Sequence, residues 1–376
     1  MIYPFKKVQA RKRRHVRTAT ALAFGRMAGA MLPKSKAKPA SKSKGAGRAL
    51  SRVRVQLKPV TGPAGRNMPA RVSARLRVSS PRGSSFRSLI HDGPFGSLGY
   101  KLFMPSCARD GRRALPLLVM LHGCKQTPDD FAIGTRMNAL AEELGIIVVY
   151  PAQDWRTQKN RCWTWYRRGD QGRLAGEPAL LADLTRMVLH STHADPGRVY
   201  VAGLSAGASM ALILAAAYPD IFAAVGAHSG LSVGSAHDAS TAMIAMKHGA
   251  PGIRSPAPVP TINFHGEDDK VVHVRNGRYV AARAADTFPD LSQTEIRGQA
   301  PDGRPFVRHC LRKGRGKTFA EFWVIADAGH AWSGGDPAGR FTDPAGPDAS
   351  REMLRFMLQH RTTVKQRKAA ALVSAA

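Results

Sequence analysis

The feature of this sequence that most constrains its fold is a regular alternation of strand-like and helix-like segments over residues 86–362. Apolar runs such as LPLLVMLHG and IIVVYP are typical of strands covered on both faces, whereas MNALAEELG and ALLADLTRMVLHSTH have the composition and stop signals of helices. Strands that alternate with helices form an open, mostly parallel sheet with helices on both faces. The sequence therefore predicts an α/β fold, with its chemistry at the carboxyl ends of the strands.

Charge divides the chain into three parts. Residues 1–91 hold 23 of the 57 Lys and Arg residues and no Asp or Glu, so the formal net charge of +31 belongs mainly to this end. Its stretch KSKAKPASKSKGAGR has almost nothing to bury and cannot offset its ordering entropy, so we expect residues 1–85 to be mostly disordered. Residues 86–362 then form the predicted domain, and residues 363–376 a basic C-terminal tail.

The basic N-terminal segment has two possible roles. A polybasic arm attracts polyanions such as nucleic acid, anionic lipid or an acidic polymer, and salt screens that attraction; a solvated tail is the alternative. The first 30 residues imitate an export signal, but Arg26 interrupts a short apolar run, so export stays open. No transmembrane segment is predicted, because the uncharged run 199–219 contains glycines and fits a buried strand–turn–helix better.

Inside that run, the residues GLSAG match the pattern G-x-S-x-G around Ser205. The predicted strand ends just before this serine and the predicted helix begins just after it. At so tight a corner Gly203 and Gly207 must lack side chains for the serine to project. The helix N-terminus also directs N–H groups at developing negative charge. We therefore interpret Ser205 as a nucleophile, the alternative being one more small residue in a glycine-rich loop.

A serine nucleophile needs a base, and the base needs an orienting acid. In a sheet of this kind the acid and then the histidine follow the serine along the chain, on loops after later strands. The segment HGEDDKVVH, after VPTINF, offers three carboxylates, and His330 follows FAEFWVIADA, the last predicted strand. His228 and His265 compete for the role of base, but only His330 follows the last strand and lies among glycines.

The oxyanion of an ester hydrolysis needs two backbone donors. The N–H of Ala206, just after the nucleophile, is one candidate, and the N–H of Cys124 in the loop MLHGCKQ is the other. The four cysteines show no CxxC or Cys/His spacing, so the sequence predicts no zinc site. Hydrolysis by a serine, a histidine and an acid needs no metal or organic cofactor, and none is expected.

With these features the sequence resembles the polyhydroxybutyrate (PHB) depolymerase family of esterases, in the α/β-hydrolase superfamily, with its acetyl xylan and feruloyl esterase relatives. The resemblance covers residues 95–360 and rests on LLVMLHGCKQ, IIVVYPAQ, NRCWTWY, VYVAGLSAGASM, HGEDDKVVHVRNG and GHAWSGG. It implies an α/β-hydrolase fold and a triad of Ser205, His330 and Asp269, the acid being selected by the family pattern H-G-x-x-D-x-x-V. It also implies an oxyanion role for Cys124.

The resemblance has further implications outside the triad. It places Trp163, Trp165 and Tyr166 near the mouth of the active site, and Trp332, two residues past His330, should lie close by. Aromatic rings there would contact an acyl group, although ordinary core packing remains an alternative for each ring. It allows a Cys124–Cys162 disulfide if the protein is exported, with free thiols as the alternative. The family usually has a second glycine where this chain has Ala208, a change that we expect to affect packing but not chemistry.

The sequence thus predicts a serine carboxylesterase that hydrolyses short-chain hydroxyalkanoate esters, oligomeric or small, through an acyl-enzyme. We expect an extracellular or periplasmic location, with the cytoplasm as the alternative. Acetyl xylan or feruloyl-type esters are the second substrate class. Two competing interpretations are a peptidase or thioesterase with the same fold, and a polyanion-binding protein whose hydrolase domain is inert.

Overall fold

The computed structural model describes residues 81–111, 113–156, 158–255, 257–286, 290–301 and 303–373. The segment 1–85, predicted to be disordered, lies outside these ranges except for its last five residues. The imitation of an export signal and most of the basic arm lie outside them too. Within the described ranges, every helix is too short or too polar to cross a membrane.

The core of the molecule is a ten-stranded sheet with the order β1-β2-β4-β3-β5-β6-β7-β10-β9-β8. Its strands are β1 Ser85–Gly93, β2 Gly96–Met104, β3 Leu117–Leu121, β4 Ile147–Pro151, β5 Val199–Leu204, β6 Ala224–His228, β7 Thr261–Gly266, β8 Leu291–Gln299, β9 Pro305–Lys313 and β10 Thr318–Ile325. A separate two-stranded sheet pairs β11 Trp332–Ser333 with β12 Thr342–Asp343. Strand β5 divides the large sheet, because strands earlier in the chain lie on one side of it and later strands on the other.

The six strands from β4 to β10 in the middle of this order are parallel to one another. The hairpins β1–β2 and β8–β9 extend the two ends antiparallel. Every residue of β3 to β7 is buried, as expected of parallel strands covered on both faces.

Helices cover both faces of the sheet. They are α1 Pro128–Thr135, α2 Met137–Leu144, α3 Gly176–Ser191, α4 Ala206–Ala217, α5 Ala239–His248, α6 Arg275–Ala285, α7 Ala349–Met357 and α8 Val364–Val373. Alternate side chains of β3 enter two different cores: Leu117 and Val119 pack in the core that contains α3 and α4, whereas Leu118 and Met120 pack in the core that contains α2 and α7. The predicted α/β architecture, a mostly parallel sheet between helical layers, is confirmed.

Several elements were not predicted, and their sequences explain why. Strand β8, LSQTEIRGQ, is exposed or half-buried along its whole length, so it lacks the apolar run that marks the central strands. Helix α8 lies where only a basic tail was expected. Its lysines, alanines and glutamine are good helix formers. Thr363 and Gln366 also exchange hydrogen bonds at its start, the Gln366 N–H donating to the Thr363 hydroxyl (3.2 Å).

Candidate active site

Ser205 lies at a sharp corner between β5 and α4. Its backbone has φ 58° and ψ −118°, a conformation that costs a non-glycine residue about 1–3 kcal/mol. The corner is closely packed: a Cβ on Gly207 would lie 2.1 Å from the Leu121 carbonyl oxygen, and one on Gly203 would lie 2.5 Å from the Gly207 backbone. The Ser205 N–H donates to the His228 carbonyl at the end of β6 (2.8 Å). The two glycines are therefore required for this turn, and the neighbouring strands hold it in place.

Asp269 and His330 form a hydrogen-bonded pair at the same edge of the sheet. Asp269 follows β7 and His330 follows β10, and the distance from His330 Nδ1 to Asp269 Oδ2 is 2.6 Å. The other carboxylate oxygen accepts the N–H groups of Val271 (2.9 Å) and Val272 (2.8 Å). An ionised carboxylate only accepts hydrogen bonds, so Nδ1 carries the proton and Nε2 of a neutral His330 is left as an acceptor.

The environment of Asp269 keeps its carboxyl group ionised. Burial raises the pKa of this side chain, but the hydrogen bond and charge of His330 and the Val272 N–H outweigh burial, and the pKa lies below its usual value. The adjacent Asp268 is exposed and contacts Lys270 (Nζ to Oδ1, 3.4 Å). The structure thus brings Asp269, and not Asp268, to His330.

The two histidines that compete with His330 are occupied elsewhere. His228 is buried, and its Nε2 accepts the Ser333 N–H (3.1 Å), which ties the end of β6 to the loop that carries His330. His265 Nε2 donates to the Val272 carbonyl (2.7 Å) inside the acid loop. Burial lowers the pKa of His228 to about 3 and that of His265 to about 4, so both stay neutral. Each of them supports the loops around Asp269 and His330.

The loop after β3 holds Cys124, the proposed oxyanion residue, between two fixed neighbours. The Gly123 N–H donates to the Gln126 side chain (2.9 Å), and the Lys125 N–H donates to the Asn160 carbonyl (2.7 Å). Within the described part of the chain the Cys124 N–H has no acceptor. The N–H of Ala206 lies in the first turn of α4, where helices leave N–H groups without intrahelical partners. Both candidate donors are therefore available to a ligand.

A disulfide joins Cys124 to Cys162, 38 residues further along the chain, with a Cα–Cα distance of 4.3 Å. It connects the loop after β3 to the CWTWY segment. The remaining cysteines, Cys107 and Cys310, are free thiols, the first exposed and the second buried.

The three tryptophans expected at the mouth of the site are all buried. Trp163 and Trp332 are each 1% exposed and Trp165 is 6% exposed. The indole N–H of Trp163 donates to the His122 carbonyl (3.0 Å), and that of Trp332 donates to the Ser350 hydroxyl (3.0 Å). Of the two interpretations that the sequence left open, this burial favours core packing over contact with a substrate.

His122 is a residue of this region that the sequence analysis did not single out. It is buried; its Nδ1 donates to the Gly123 carbonyl (2.8 Å), and its Nε2 accepts the Gln153 N–H (3.2 Å). Burial lowers its pKa to about 4, which keeps Nε2 free to accept. The dipeptide His–Gly directly after a buried strand was the available signal. Among the described residues, no three His, Cys, Asp or Glu side chains are grouped to hold a metal ion.

Comparison with known proteins identifies the family. The model of the Esterase PHB depolymerase family matches residues 98–290, more than half of the chain. Poly(3-hydroxyalkanoate) depolymerase C of Paucimonas lemoignei is 31% identical over 278 residues, which cover 68% of this chain and 64% of the relative. Poly(3-hydroxybutyrate) depolymerase of Ralstonia pickettii is 40% identical over 129 residues, which cover 32% of this chain and 26% of the relative. The chain thus spans less than two thirds of the length of either relative.

Solved structures are similar in fold. An acetyl xylan esterase from Aspergillus awamori superposes with a TM-score of 0.55 at 17% identity, covering 73% of this chain and 99% of that one. An S-formylglutathione hydrolase from Agrobacterium tumefaciens gives a TM-score of 0.51 at 13% identity, covering 76% and 98%. The chain has an α/β-hydrolase fold and, by the family match over its central domain, belongs to the PHB depolymerase family of esterases.

Proposed function

We propose that this protein is a serine carboxylesterase with Ser205 as nucleophile, His330 as base and Asp269 as orienting acid. The observation that carries the proposal is the 2.6 Å hydrogen bond between Asp269 and His330. This pair lies on the strand-end edge where Ser205 occupies a strained corner. Membership of an esterase family supports the same assignment.

The proposed reaction has two steps. His330 Nε2 takes the proton of Ser205 as its Oγ attacks the ester carbonyl, while Asp269 stabilises the imidazolium and the N–H groups of Cys124 and Ala206 hold the oxyanion. The tetrahedral intermediate collapses to an acyl-enzyme, and the leaving alcohol takes the proton from His330. Water, deprotonated by His330, then attacks the acyl carbon, and His330 returns the proton to Ser205 Oγ as the acid is released.

The proposed substrates are short-chain hydroxyalkanoate esters, because the first two relatives are named as depolymerases of hydroxyalkanoate polymers. Acetylated xylan and feruloyl esters are the second class, since relatives from Emericella nidulans and Neurospora crassa are named acetylxylan esterase and feruloyl esterase. The Cys124–Cys162 disulfide supports an extracellular or periplasmic location, because disulfides persist in oxidising compartments.

The first experiment compares kcat/KM for hydroxybutyrate oligomers, acetylated xylo-oligosaccharides and a methyl hydroxycinnamate. We expect a tenfold or larger preference for the first class. Ser205→Ala should lower kcat by about 10⁴-fold or more, because the nucleophile is lost while the donors remain. Ser240→Ala, an exposed serine on α5, is the matched control and should keep wild-type kcat.

Two outcomes would overturn this proposal. One is a folded wild-type protein that hydrolyses none of the three esters, and the other is a Ser205→Ala variant that keeps its activity. Amide and thioester analogues of the preferred acyl group test the peptidase and thioesterase alternatives. Deletion of residues 1–80, which leaves β1 intact, tests the basic arm: loss of salt-sensitive heparin binding with unchanged kcat/KM would make the arm an anchor for polyanions.

A further inference from the structure

Beside the segment that carries Cys162, two carboxyl groups lie in a cavity of about 710 Å³. They are Asp170, which is 7% exposed, and Glu177 in the first turn of α3. The cavity is also lined by Gln153, Trp163 and Thr164. Neither carboxyl group belongs to the proposed triad, so their pairing in this cavity needs another explanation.

Both carboxyl groups bind the same residue, Thr164. Glu177 accepts the Thr164 N–H (2.7 Å), and Asp170 accepts the Thr164 hydroxyl (2.7 Å). Asp170 also accepts the Glu177 N–H (2.8 Å), which fixes the start of α3. The second oxygen of Glu177 accepts the side-chain amide of Gln153. Glu177 is thus the residue that joins Thr164 to Gln153.

Thr164 and Gln153 both connect to the loop after β3 that carries Cys124, residues 122–127, which we call the oxyanion loop or Cys124 loop. Trp163, next to Thr164, donates its indole N–H to the His122 carbonyl (3.0 Å), and the preceding residue is joined to Cys124 by the disulfide. Gln153 donates its backbone N–H to His122 Nε2 (3.2 Å) and its side-chain amide to the Cys162 carbonyl (3.2 Å). The hydrogen bond from Gln153 to Glu177 therefore connects to the Cys124 loop directly through His122, and the hydrogen bond from Thr164 connects to it through the neighbouring Trp163.

We propose that Glu177 is a positioning residue for the oxyanion loop, which holds the Cys124 N–H in place through Thr164 and Gln153. The proposal rests on the proposed ester hydrolysis for its catalytic consequence, but the order of the loop is measurable without any substrate. A displaced donor weakens stabilisation of the oxyanion, which exists only after attack, so kcat should suffer and KM should not.

The charge of Glu177 controls how well it can hold both partners. Burial, with a further contribution from Asp170, raises its pKa to about 7, against the hydrogen bonds from Thr164 and Gln153. Asp154, Arg156 and Arg167 also line the cavity. Thr164 and Gln153 both donate hydrogen bonds to Glu177. A protonated carboxyl group has a hydroxyl group in place of one of its two acceptor oxygens. One of the two bonds is therefore lost as the pH falls through about 7.

The test uses Glu177→Ala, Glu177→Gln and the control Glu142→Gln. Glu142 on α2 is a matched control, because it also accepts one backbone N–H (2.9 Å) and one side-chain hydrogen bond, both from Ser106. It lies at the opposite edge of the sheet, where β4 begins. In hydrogen–deuterium exchange at pH 8, where the wild-type Glu177 is ionised, amides in 120–127 and 160–166 should exchange faster in both Glu177 variants, with β5 unchanged. Glu142→Gln should match the wild type in both segments.

The kinetic arm separates a positioning role from a structural one. Glu177→Ala should lower kcat about 10- to 100-fold at pH 8, with KM changed less than about threefold. The loss in kcat should be smaller than the roughly 10²- to 10³-fold loss when an oxyanion donor is removed, because the Cys124 N–H is displaced and not removed. The wild-type to Glu177→Gln ratio of kcat should be near one at pH 6, where the wild-type carboxyl is protonated, and should rise by pH 8. A pH effect on the proposed triad is common to both proteins and cancels in this ratio.

Unchanged exchange of 120–127 in both Glu177 variants would overturn the proposal, whether or not the wild type hydrolyses an ester. So would faster exchange throughout the sheet, or a kcat ratio that does not vary between pH 6 and pH 8. Failure of the wild type to hydrolyse any ester would instead contradict the proposed function. The hydrogen–deuterium exchange result would still decide whether Glu177 orders the loop.

Discussion

At the scale of single residues, the two oxygens of Asp269 have separate tasks. One accepts two backbone N–H groups of its own loop, and the other accepts His330 Nδ1. The carboxylate therefore cannot rotate away from the imidazole without breaking its own turn. This arrangement fixes the tautomer of His330, and it makes the charge of Asp269 testable apart from its shape.

Asp269→Asn should keep the fold and lower kcat by about 10⁴-fold. The asparagine oxygen can still accept the two backbone N–H groups, but its amide then faces Nδ1, so His330 carries its proton on Nε2 and cannot accept that of Ser205. Steady-state kinetics beside a thermal melt would measure both effects. Asp268→Asn, at the exposed neighbour, should stay within twofold of wild-type kcat, and an equal loss in the two variants would contradict the assignment.

At the scale of elements, the β5–α4 corner depends on how closely it approaches β3. Gly207 faces the carbonyls of Leu121 and His122, both of which are backbone atoms that cannot move aside. Ala208, where the family usually has glycine, is fully buried with its Cβ near Gly230. The extra methyl group is thus accommodated inside the packed helix and away from the β3 backbone.

Gly207→Ala should lower both the Tm and kcat, because its Cβ would force β3 and α4 apart and move the loop after β3. Ala208→Gly should leave kcat within about twofold and cost roughly 1 kcal/mol of stability, the usual effect of glycine inside a helix. Thermal melts and kcat for the pair would check this contrast. A normal kcat in Gly207→Ala would show that the corner is more tolerant than its packing indicates.

The elements that form the corner were predictable from the sequence, whereas their support was not. Strands buried on both faces are visible as unbroken apolar runs. In the α/β architecture that these strands indicate, the acid and then the histidine follow the serine on loops after later strands. Glu177 instead looks like an ordinary acidic residue at a helix start, and only the folded chain shows that it is half-buried and lines a cavity with Asp170. The polar strand β8 was missed for the related reason that little of it enters a core.

At the scale of the whole molecule, four neutral histidines make the stability depend on pH. Burial lowers the pKa of His228 to about 3 and those of His122, His265 and His360 to about 4. In the unfolded chain each has its ordinary value near 6.5, so the unfolded state binds protons that the folded state excludes. The stability that these residues contribute is complete above pH 6.5 and is lost as the pH falls towards 4.

We therefore expect the Tm to fall steeply between pH 6.5 and pH 4, with each histidine contributing up to about 3 kcal/mol. His360→Gln should make this decline shallower, because it removes one of the four buried imidazoles. His360 suits the test because it lies after α7, away from the loops of the proposed triad, and its Nε2 is buried without a partner in the described chain. His190→Gln, at an exposed position of α3, should leave the slope unchanged. A slope that is the same in all three proteins would contradict this account.

The position of β5 as the divider of the sheet has a consequence for how the protein is made. A ribosome delivers the Cys124 loop, its disulfide partner and Ser205 with one half of the sheet, before any residue of β6 to β10 has emerged. Asp269 and His330 belong to the other half. A nascent or stalled chain that stops short of residue 330 therefore carries the proposed nucleophile without its proposed base, so the proposed hydrolysis requires synthesis to continue past that residue.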